Sequence, residues 1–184
     1  MLQALMGDAL LDFAPGLHAV LTAETPPTIE FLKHLPQDAD KNMWAVYCLV
    51  LERLNARTKV YVGSGTASKG GIAARFKQYD EEKNLPVYVA EALADGYDIV
   101  SEGLLVTSPH PIATGPYTRC LYLAMEATFT FALNAVIPSK DFGMDLRGVC
   151  PWPLESFEYE GTCSHNPMIE TPAGFEPMRK VPLI

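Results

Sequence analysis

The sequence lacks several features that would assign it to a class at once. No apolar run approaches the roughly 18 residues that a membrane-spanning helix requires, and there are no internal repeats or low-complexity tracts. The apolar start carries Asp8 and Asp12 but no Lys or Arg, whereas a secretory signal begins with basic residues. The sequence therefore predicts a protein with no membrane partner that acts inside the cell, without distinguishing nucleus from cytoplasm.

Paired cysteine motifs are also missing. The four cysteines show no C-x-x-C spacing, which favours free thiols over a disulfide framework in a chain without a secretion signal. Cys48 and Cys120 lie in apolar stretches, which predicts buried packing. Cys150, Cys163 and His165 are the only grouping with metal-ligand chemistry, but a structural zinc site requires four ligands. Ordinary loop residues are the alternative interpretation of these three.

Positive charge is scarce in the chain as a whole. It has 14 Lys and Arg against 22 Asp and Glu, a net charge of -8, and an acidic protein repels a nucleic-acid backbone at long range. Residues 57–83 differ, because six Lys and Arg stand there against three acidic residues, a local charge of +3. This island is either an ordinary solvated face or a local phosphate groove on an otherwise acidic body.

Residues 43–136 contain an ordered series of strand and helix patterns. The predicted elements are a strand over 43–52, a hairpin loop over 53–58, a return strand over 59–63, a helix over 71–82, a helix over 87–94, a third strand over 97–107 and a helix over 117–136. The Gly-rich turn before the first of these helices lacks the spacing of a Walker P-loop. The series predicts an α+β fold with a small three-stranded sheet flanked by helices.

Two further segments flank this series. Residues 1–40 have near-helical spacing over 1–21 and a second short helical pattern over 28–34, which predicts an N-terminal helical extension. Residues 41–137 form the predicted central domain. Residues 138–184 lose periodicity and are rich in Pro, Gly and aromatic residues, which predicts an irregular tail packed on the domain with a short strand near 156–160.

The central series places several polar side chains on shared faces. Regular pairing of the hairpin would put Tyr47 and Tyr61 on one face of the sheet, within about 5 Å of each other if they lie opposite. Arg75 and Tyr79 are four residues apart and share one face of their helix. These four side chains could therefore point into one cleft.

The last helix of the series carries a polar stripe. Its members, at three- and four-residue steps, are Arg119, Tyr122, Glu126, Thr130 and Asn134. The opposite, core-facing side would consist of Leu121, Met125, Phe129 and Ala132. Burying an unpaired carboxylate is costly, so Glu126 requires a partner. An ion pair with Arg119 or Arg75 is one solution, and a bound metal ion is the other.

These residues resemble the motifs of the GIY-YIG nuclease family. Ala45-Val46-Tyr47 is similar to the first motif, with Ala45 in place of Gly, and Tyr61-Val62-Gly63 is similar to the second, with Val62 in place of Ile. The resemblance covers about half of the chain. It implies a metal-dependent endonuclease that hydrolyses phosphodiester bonds in DNA, with RNA as the alternative substrate and a protein partner as a possible source of specificity.

The resemblance also implies roles for individual residues. Glu126 would bind one Mg²⁺ or Mn²⁺, Arg75 would hold a phosphate with its planar fork, and Tyr47, Tyr61 and Tyr79 would orient or deprotonate the attacking water. The remaining substrate-binding candidates are Lys59, Gly63, Lys69, Lys77, Arg119 and Asn134. An ordinary phenol has a pKa of about 10, so a base role for Tyr47 requires a cation or a metal that lowers this pKa. Lys59 and Arg75 are the candidate cations.

Two other functions are consistent with the sequence. The acidic net charge and the aromatic tail favour a binding or scaffold protein that keeps this fold but has weak or no catalysis and acts with a partner. A hydrolase built on Cys163 and His165 is the third class. It lacks an evident third catalytic group and lies in a region without regular periodicity.

Overall fold

The structure is a computed structural model that describes residues 11–110, 116–137 and 149–169. The elements are strand β1 (Asp12–Phe13), helices α1 (Leu17–Leu21) and α2 (Ile29–Lys33), strands β2 (Met43–Glu52) and β3 (Lys59–Gly65), helices α3 (Gly71–Asp80) and α4 (Val87–Ala94), strand β4 (Asp98–Pro109), helix α5 (Pro116–Ala132) and strand β5 (Glu160–Gly161). Short 3-10 helices cover Leu154–Ser156 and Pro167–Ile169. The predicted α+β class is confirmed. Within the described ranges, no helix combines the length and the apolar character needed to cross a membrane.

The sheet has five strands, in the order β1-β4-β2-β3-β5. Its centre, β4-β2-β3, is antiparallel and consists of the three strands that the sequence predicts. The predicted count of three is wrong, because β1 pairs antiparallel with β4 and β5 pairs parallel with β3. Each edge strand has two residues, which is too short for an alternating pattern to be visible in the sequence.

The central strand β2 is buried over eight consecutive residues, from Trp44 to Leu51. Such a continuous apolar run is typical of a strand covered on both faces. Helices α3 and α5 pack on β2 and β3, and α2 packs on β2 and β4. The middle of the sheet is therefore the core of the molecule, and the ends of β2 and β3 reach its surface.

The two flanking segments contribute to this same core. Leu17, Leu32 and Leu35 from the N-terminal side are at most 4% exposed, and Trp152, Phe157 and Tyr159 from the C-terminal side are at most 5% exposed. The C-terminal segment is fixed by backbone hydrogen bonds, in which Thr162 N donates to Val60 O (2.9 Å) and Cys163 N donates to Ala135 O (2.8 Å). Residues 149–169 are thus built into the sheet, not only laid over it. Of the helical pattern predicted over residues 1–21, residues 1–10 lie outside the described residues. A strand occupies Asp12–Phe13, and a helix forms over Leu17–Leu21.

Helix α5 turns its polar stripe inward. Tyr122, Glu126 and Thr130 are buried, with exposures of 0%, 6% and 0%, whereas Leu121 and Met125, expected in the core, are only half-buried. The predicted orientation of this helix is therefore wrong for most of its length. Polar partners on the sheet explain the burial of Tyr122 and Glu126, because burial of a hydrogen-bonded polar group costs little. Tyr122 Oη, for example, shares a 2.6 Å hydrogen bond with Ser108 Oγ.

Candidate active site

The two motif tyrosines lie on one face of the β2–β3 hairpin. Tyr47 pairs with Gly63, and Tyr61 pairs with Leu49, so the tyrosines are diagonal neighbours with ring centroids 6.3 Å apart. A Cβ atom on Gly63 would lie 2.6 Å from Tyr47 Oη, so this glycine provides the space for the Tyr47 ring. A register shift between Val46 and Tyr47 relative to β4 bends the sheet at this point.

Arg75 reaches the same phenol from helix α3. Its Nε donates to Tyr47 Oη (3.1 Å), and Tyr47 Oη shares a 2.6 Å hydrogen bond with Tyr79 Oη. Arg75 Nη1 donates to Gln78 Oε1 (2.6 Å) and to Asn84 O (3.0 Å). None of the hydrogen bonds among the described residues uses Nη2. The guanidinium is therefore fixed on one side and offers a ligand the two N–H groups of a single nitrogen, not the open fork that the sequence suggested.

The three clustered phenols are protonated at neutral pH. Burial raises the pKa of Tyr47 to about 12, although Arg75 acts in the opposite direction. Burial also raises the pKa values of Tyr61 and Tyr79. A base role for Tyr47 requires a cation or a metal that lowers its pKa, and Arg75 acts in that direction without outweighing burial. One guanidinium does not offset the loss of solvation that the core imposes.

Glu126 approaches the hairpin from helix α5. Its side chain is 6% exposed, and Ser64 Oγ donates a 2.6 Å hydrogen bond to its Oε2. Among the ion pairs between described residues, none joins Glu126 to Arg75 or Arg119. Arg119 instead lies with its Cζ 5.8 Å from the centroid of the Trp44 ring. The predicted ion pair between Glu126 and either arginine is therefore not formed.

These groups lie in or beside one cleft with a volume of about 300 Å³. Tyr47, Tyr61, Arg75 and Glu126 all line it, and Tyr79 lies behind Tyr47. Glu126 is the only carboxylate in the described lining. The structure thus brings four of the five predicted catalytic residues to one cavity, with the fifth in contact through Tyr47.

Other predicted substrate-binding residues lie away from this cleft. Lys59 begins β3, at the opposite end from Gly65, and its Nζ is 5.2 Å from the centroid of the Tyr97 ring. Lys77 is exposed and pairs with Glu81 at 3.5 Å. The space at Gly63 is filled by Tyr47, as described above. Neither lysine lines the cavity.

Asn134 has a structural position. It follows the end of α5 with a φ of 47°, and its N–H donates to Phe131 O (3.1 Å). Asn is one of the few residues that adopt this left-handed conformation at low cost. The identity of Asn134 is therefore explained by the helix end, and it does not line the cleft.

The three candidate zinc ligands do not converge. Cys163 Sγ hydrogen-bonds to the backbone of Val62, and Cys150 Sγ donates to Ala132 O (3.5 Å). His165 lines the cleft instead. Within the described ranges there is no group of three or more His, Cys, Asp or Glu side chains arranged to hold a metal. The four thiols are free, and three of them are buried; Cys120 is only half-buried.

Sequence reasoning missed Ser64 and the position of His165. Ser64 directly follows the second motif. No sequence pattern indicates its 2.6 Å hydrogen bond to Glu126. His165 reaches the cleft only because β5 pairs with β3 about 100 residues away in sequence. Known proteins add nothing to these assignments: no family model matches the chain, and no curated protein or solved structure matches it significantly.

Proposed function

We propose that this protein is a metal-dependent endonuclease of the GIY-YIG type that hydrolyses phosphodiester bonds in DNA. The observation that carries the proposal is the convergence of Tyr47, Tyr61, Arg75 and Glu126 on one cleft. These residues come from β2, β3, α3 and α5, which correspond to the elements from which the motif was identified. Chance similarity of short motifs would not be expected to bring all four together.

The cleft is compatible with a divalent metal. Mg²⁺ retains several waters and is bound through one or two carboxylates together with substrate phosphates. The cleft supplies a single buried carboxylate, which the Ser64 hydroxyl orients. This suits a metal ion that keeps most of its waters better than one whose ligands all come from the protein. Mg²⁺ or Mn²⁺ bound at Glu126 would supply Lewis acidity toward the scissile phosphate and its leaving oxygen.

The other residues of the cleft act on the phosphate and the attacking water. Arg75 donates the two N–H groups of Nη2 to a phosphate oxygen, because its other donors are already used by the protein. Tyr47 accepts from Arg75 and orients the water as a neutral phenol. Tyr79 fixes the rotation of that phenol through its hydrogen bond. His165 lines the cleft and donates a hydrogen bond to the phosphate group.

Cleavage of labelled DNA in the presence of Mg²⁺ or Mn²⁺ tests the proposal. Glu126→Gln keeps the size of the side chain and its ability to accept from Ser64, but it removes the charge that holds the metal. We expect the loss of nearly all cleavage. Glu91→Gln is the matched control, because Glu91 is exposed on α4 and lies outside the cleft. Equal cleavage by wild type and Glu126→Gln would refute the proposed function.

The alternative is a protein that binds nucleic acid in the same cleft without cutting it. The raised pKa of Tyr47 favours this alternative, since a phenol with a pKa of about 12 is a poor base at neutral pH unless a metal acts on it. The same assay separates the two functions. A folded wild type that binds DNA but does not cut it with either metal would support the alternative.

A further inference from the structure

Four described cations that take part in no ion pair lie in or near the catalytic cleft, whereas Arg53 and Lys59, also outside the ion pairs, lie over the Tyr97 ring. Lys33, Arg57, Lys77 and Lys83 all form ion pairs with carboxylates. The described cations that line the cleft or its surroundings do not take part in any of these pairs: they are Lys41, Lys69, Arg75 and Arg119. An unpaired cation on the surface of a protein with a net charge of -8 leaves local positive potential for an anionic ligand.

A second groove of about 550 Å³ contains two of these cations. It is lined by Lys41, Lys69 and His110 together with small and uncharged residues, and no carboxylate is in its described lining. Asp40 is the nearest acidic residue in sequence, and its carboxylate accepts from Asn42 N (2.8 Å). His110 Nε2 lies 3.1 Å from Ser68 O, and the His110 ring packs against Trp44 with centroids 5.4 Å apart. The floor of the groove is therefore fixed to the sheet.

The catalytic cleft and this groove share a wall. Thr66, Ala67 and Gly71 line the cleft, whereas Ser68, Lys69 and Gly70 line the groove. The loop is anchored from below, since Trp44 Nε1 donates to Ala67 O (3.3 Å). Lys69 is three residues after Thr66, so their Cα atoms are at most about 11 Å apart.

A cavity that Tyr79 lines has the reverse charge. It lies beside β4 and includes Asp80, Glu82, Asp98 and Glu102, without any Lys or Arg in its described lining. Burial raises the pKa of Glu102 to about 7, so this carboxylate is only partly charged at neutral pH. A polyanion is therefore repelled at that cavity and attracted toward Lys69 and Lys41.

We propose that the groove of Lys41, Lys69 and His110 binds the phosphodiester backbone of the DNA strand that is cut in the neighbouring cleft. The inference rests on the proposed function, because it treats the groove as a continuation of the catalytic cleft. Because cleft and groove are joined through consecutive residues of one loop, a strand that passes through the cleft needs to extend only a few nucleotides to reach Lys69.

Equilibrium binding of fluorescein-labelled DNA, measured by anisotropy in the Glu126→Gln background, tests the groove independently of cleavage. Lys41→Gln/Lys69→Gln is compared with Lys33→Gln/Lys59→Gln, which changes the net charge equally but lies elsewhere. The four lysines have at least partly exposed side chains, and circular dichroism checks that each variant is folded. The salt concentration is varied between about 50 and 200 mM, a range over which the affinity of phosphate-contacting proteins changes strongly.

Removal of both groove lysines should weaken binding of single-stranded DNA about tenfold and reduce the slope of log affinity against log salt by about 1.4, or 0.7 for each phosphate contact. The control pair should leave the slope unchanged. Equal slopes in the two double variants would contradict the proposal that the groove binds DNA. So would a wild type that binds neither single-stranded nor duplex DNA.

Cleavage by the same variants in the wild-type Glu126 background separates this inference from the proposed function. If the wild type and the groove variant both cleave DNA with the same KM, the groove proposal is refuted and the nuclease proposal is kept. If the groove variant loses binding but the wild type does not cleave DNA, the nuclease proposal is refuted and DNA binding by the groove is kept. A higher KM with little change in kcat is the expected result, because the groove is remote from the reacting atoms.

Discussion

Tyr47 has its phenol oxygen in contact with both Arg75 and Tyr79, at 3.1 and 2.6 Å. The sequence was sufficient to bring these three residues together, since strand pairing and helical spacing place them on adjacent faces. It was insufficient to predict their protonation, which depends on burial. A phenol in this position can orient a water molecule, but it cannot accept its proton at neutral pH without help from a metal.

Alkaline titration of the native protein tests the burial of the phenols. Burial raises the pKa values of five tyrosines: Tyr47, Tyr61, Tyr79, Tyr122 and Tyr159. Because the folded pKa exceeds the unfolded value of about 10, the free energy of unfolding is fully retained below pH 10 and decreases as the pH rises toward 12, by about 1.4 kcal/mol per pH unit for each group.

Urea unfolding monitored across this pH range measures the loss, and tyrosinate absorbance follows the ionisation. Tyr47→Phe removes one group and should reduce the dependence on pH. Ionisation of all tyrosines near pH 10 in the folded protein would contradict the burial of these phenols.

A second test at this scale concerns His165. His165→Asn should lower kcat for DNA cleavage, because a hydrogen-bond donor directed at a phosphate in a cleft of this kind contributes about a hundredfold. His34→Asn is the control, since His34 is exposed at the C-terminal end of α2 and does not line the cleft. An unchanged kcat in the His165 variant would remove this residue from the proposed mechanism.

Strands β2 and β3 and helices α3 and α4 lie close to where their sequence patterns predict them, because each is long enough to show a clear period or a dense apolar run. The orientation of α5 could not be predicted in the same way. The helix has both a polar and an apolar side, and the burial of Glu126 and Tyr122 depends on Ser64 and Ser108, which belong to other elements.

The end of α5 gives a test that separates structure from function at Asn134. Asn134→Gly should keep the stability and the cleavage of the wild type, because Gly adopts a positive φ without strain. Asn134→Val should lower the free energy of unfolding by about 1–2 kcal/mol. Chemical denaturation and cleavage assays measure both effects. A large loss of cleavage in a stable Asn134→Gly protein would instead assign Asn134 to substrate binding.

Strand β5 depends on a glycine at one point. A Cβ atom on Gly161 would collide with the backbone of Ala135 and Val136, and neither backbone can move without disturbing the core. Gly161→Ala should therefore reduce the free energy of unfolding by about 1–3 kcal/mol. Ser164→Ala, three residues further along, is the control. Equal stability of the two variants in urea would show that β5 is not closely packed on residues 135–136, which follow α5.

Considered as a whole, the molecule has a single core to which all three predicted segments contribute. The sequence suggested a central domain with two appendages, because the boundaries were placed where periodicity is lost. Long-range contacts such as Trp152 Nε1 to Ala23 O (3.0 Å) leave no periodic signal. The basic island over residues 57–83 indicates the charge distribution only in part: Lys69 and Arg75 line the groove and the cleft, but Arg57, Lys77 and Lys83 form ion pairs with carboxylates.

Removal of residues 149–184 tests this single core. The shortened chain would lose Trp152, Phe157 and Tyr159, which are at most 5% exposed. Because each large buried aromatic contributes about 3–5 kcal/mol, and a whole domain is stable by only about 5–15 kcal/mol, we expect loss of cooperative thermal unfolding by circular dichroism. A shortened chain that unfolds cooperatively near the temperature of the full chain would show that residues 1–148 fold independently.

The parallel pairing of β5 with β3 has a consequence for synthesis on the ribosome. Thr162 Oγ1 binds the carbonyl of Val60, which precedes it by 102 residues. At an elongation rate of about 5–20 residues per second, roughly 5–20 s separate the emergence of these partners. During this interval the nascent chain presents an unpaired edge of β3, a surface on which strands of other chains can add. Newly made protein therefore passes through an aggregation-prone stage that ends only when the β5 segment arrives.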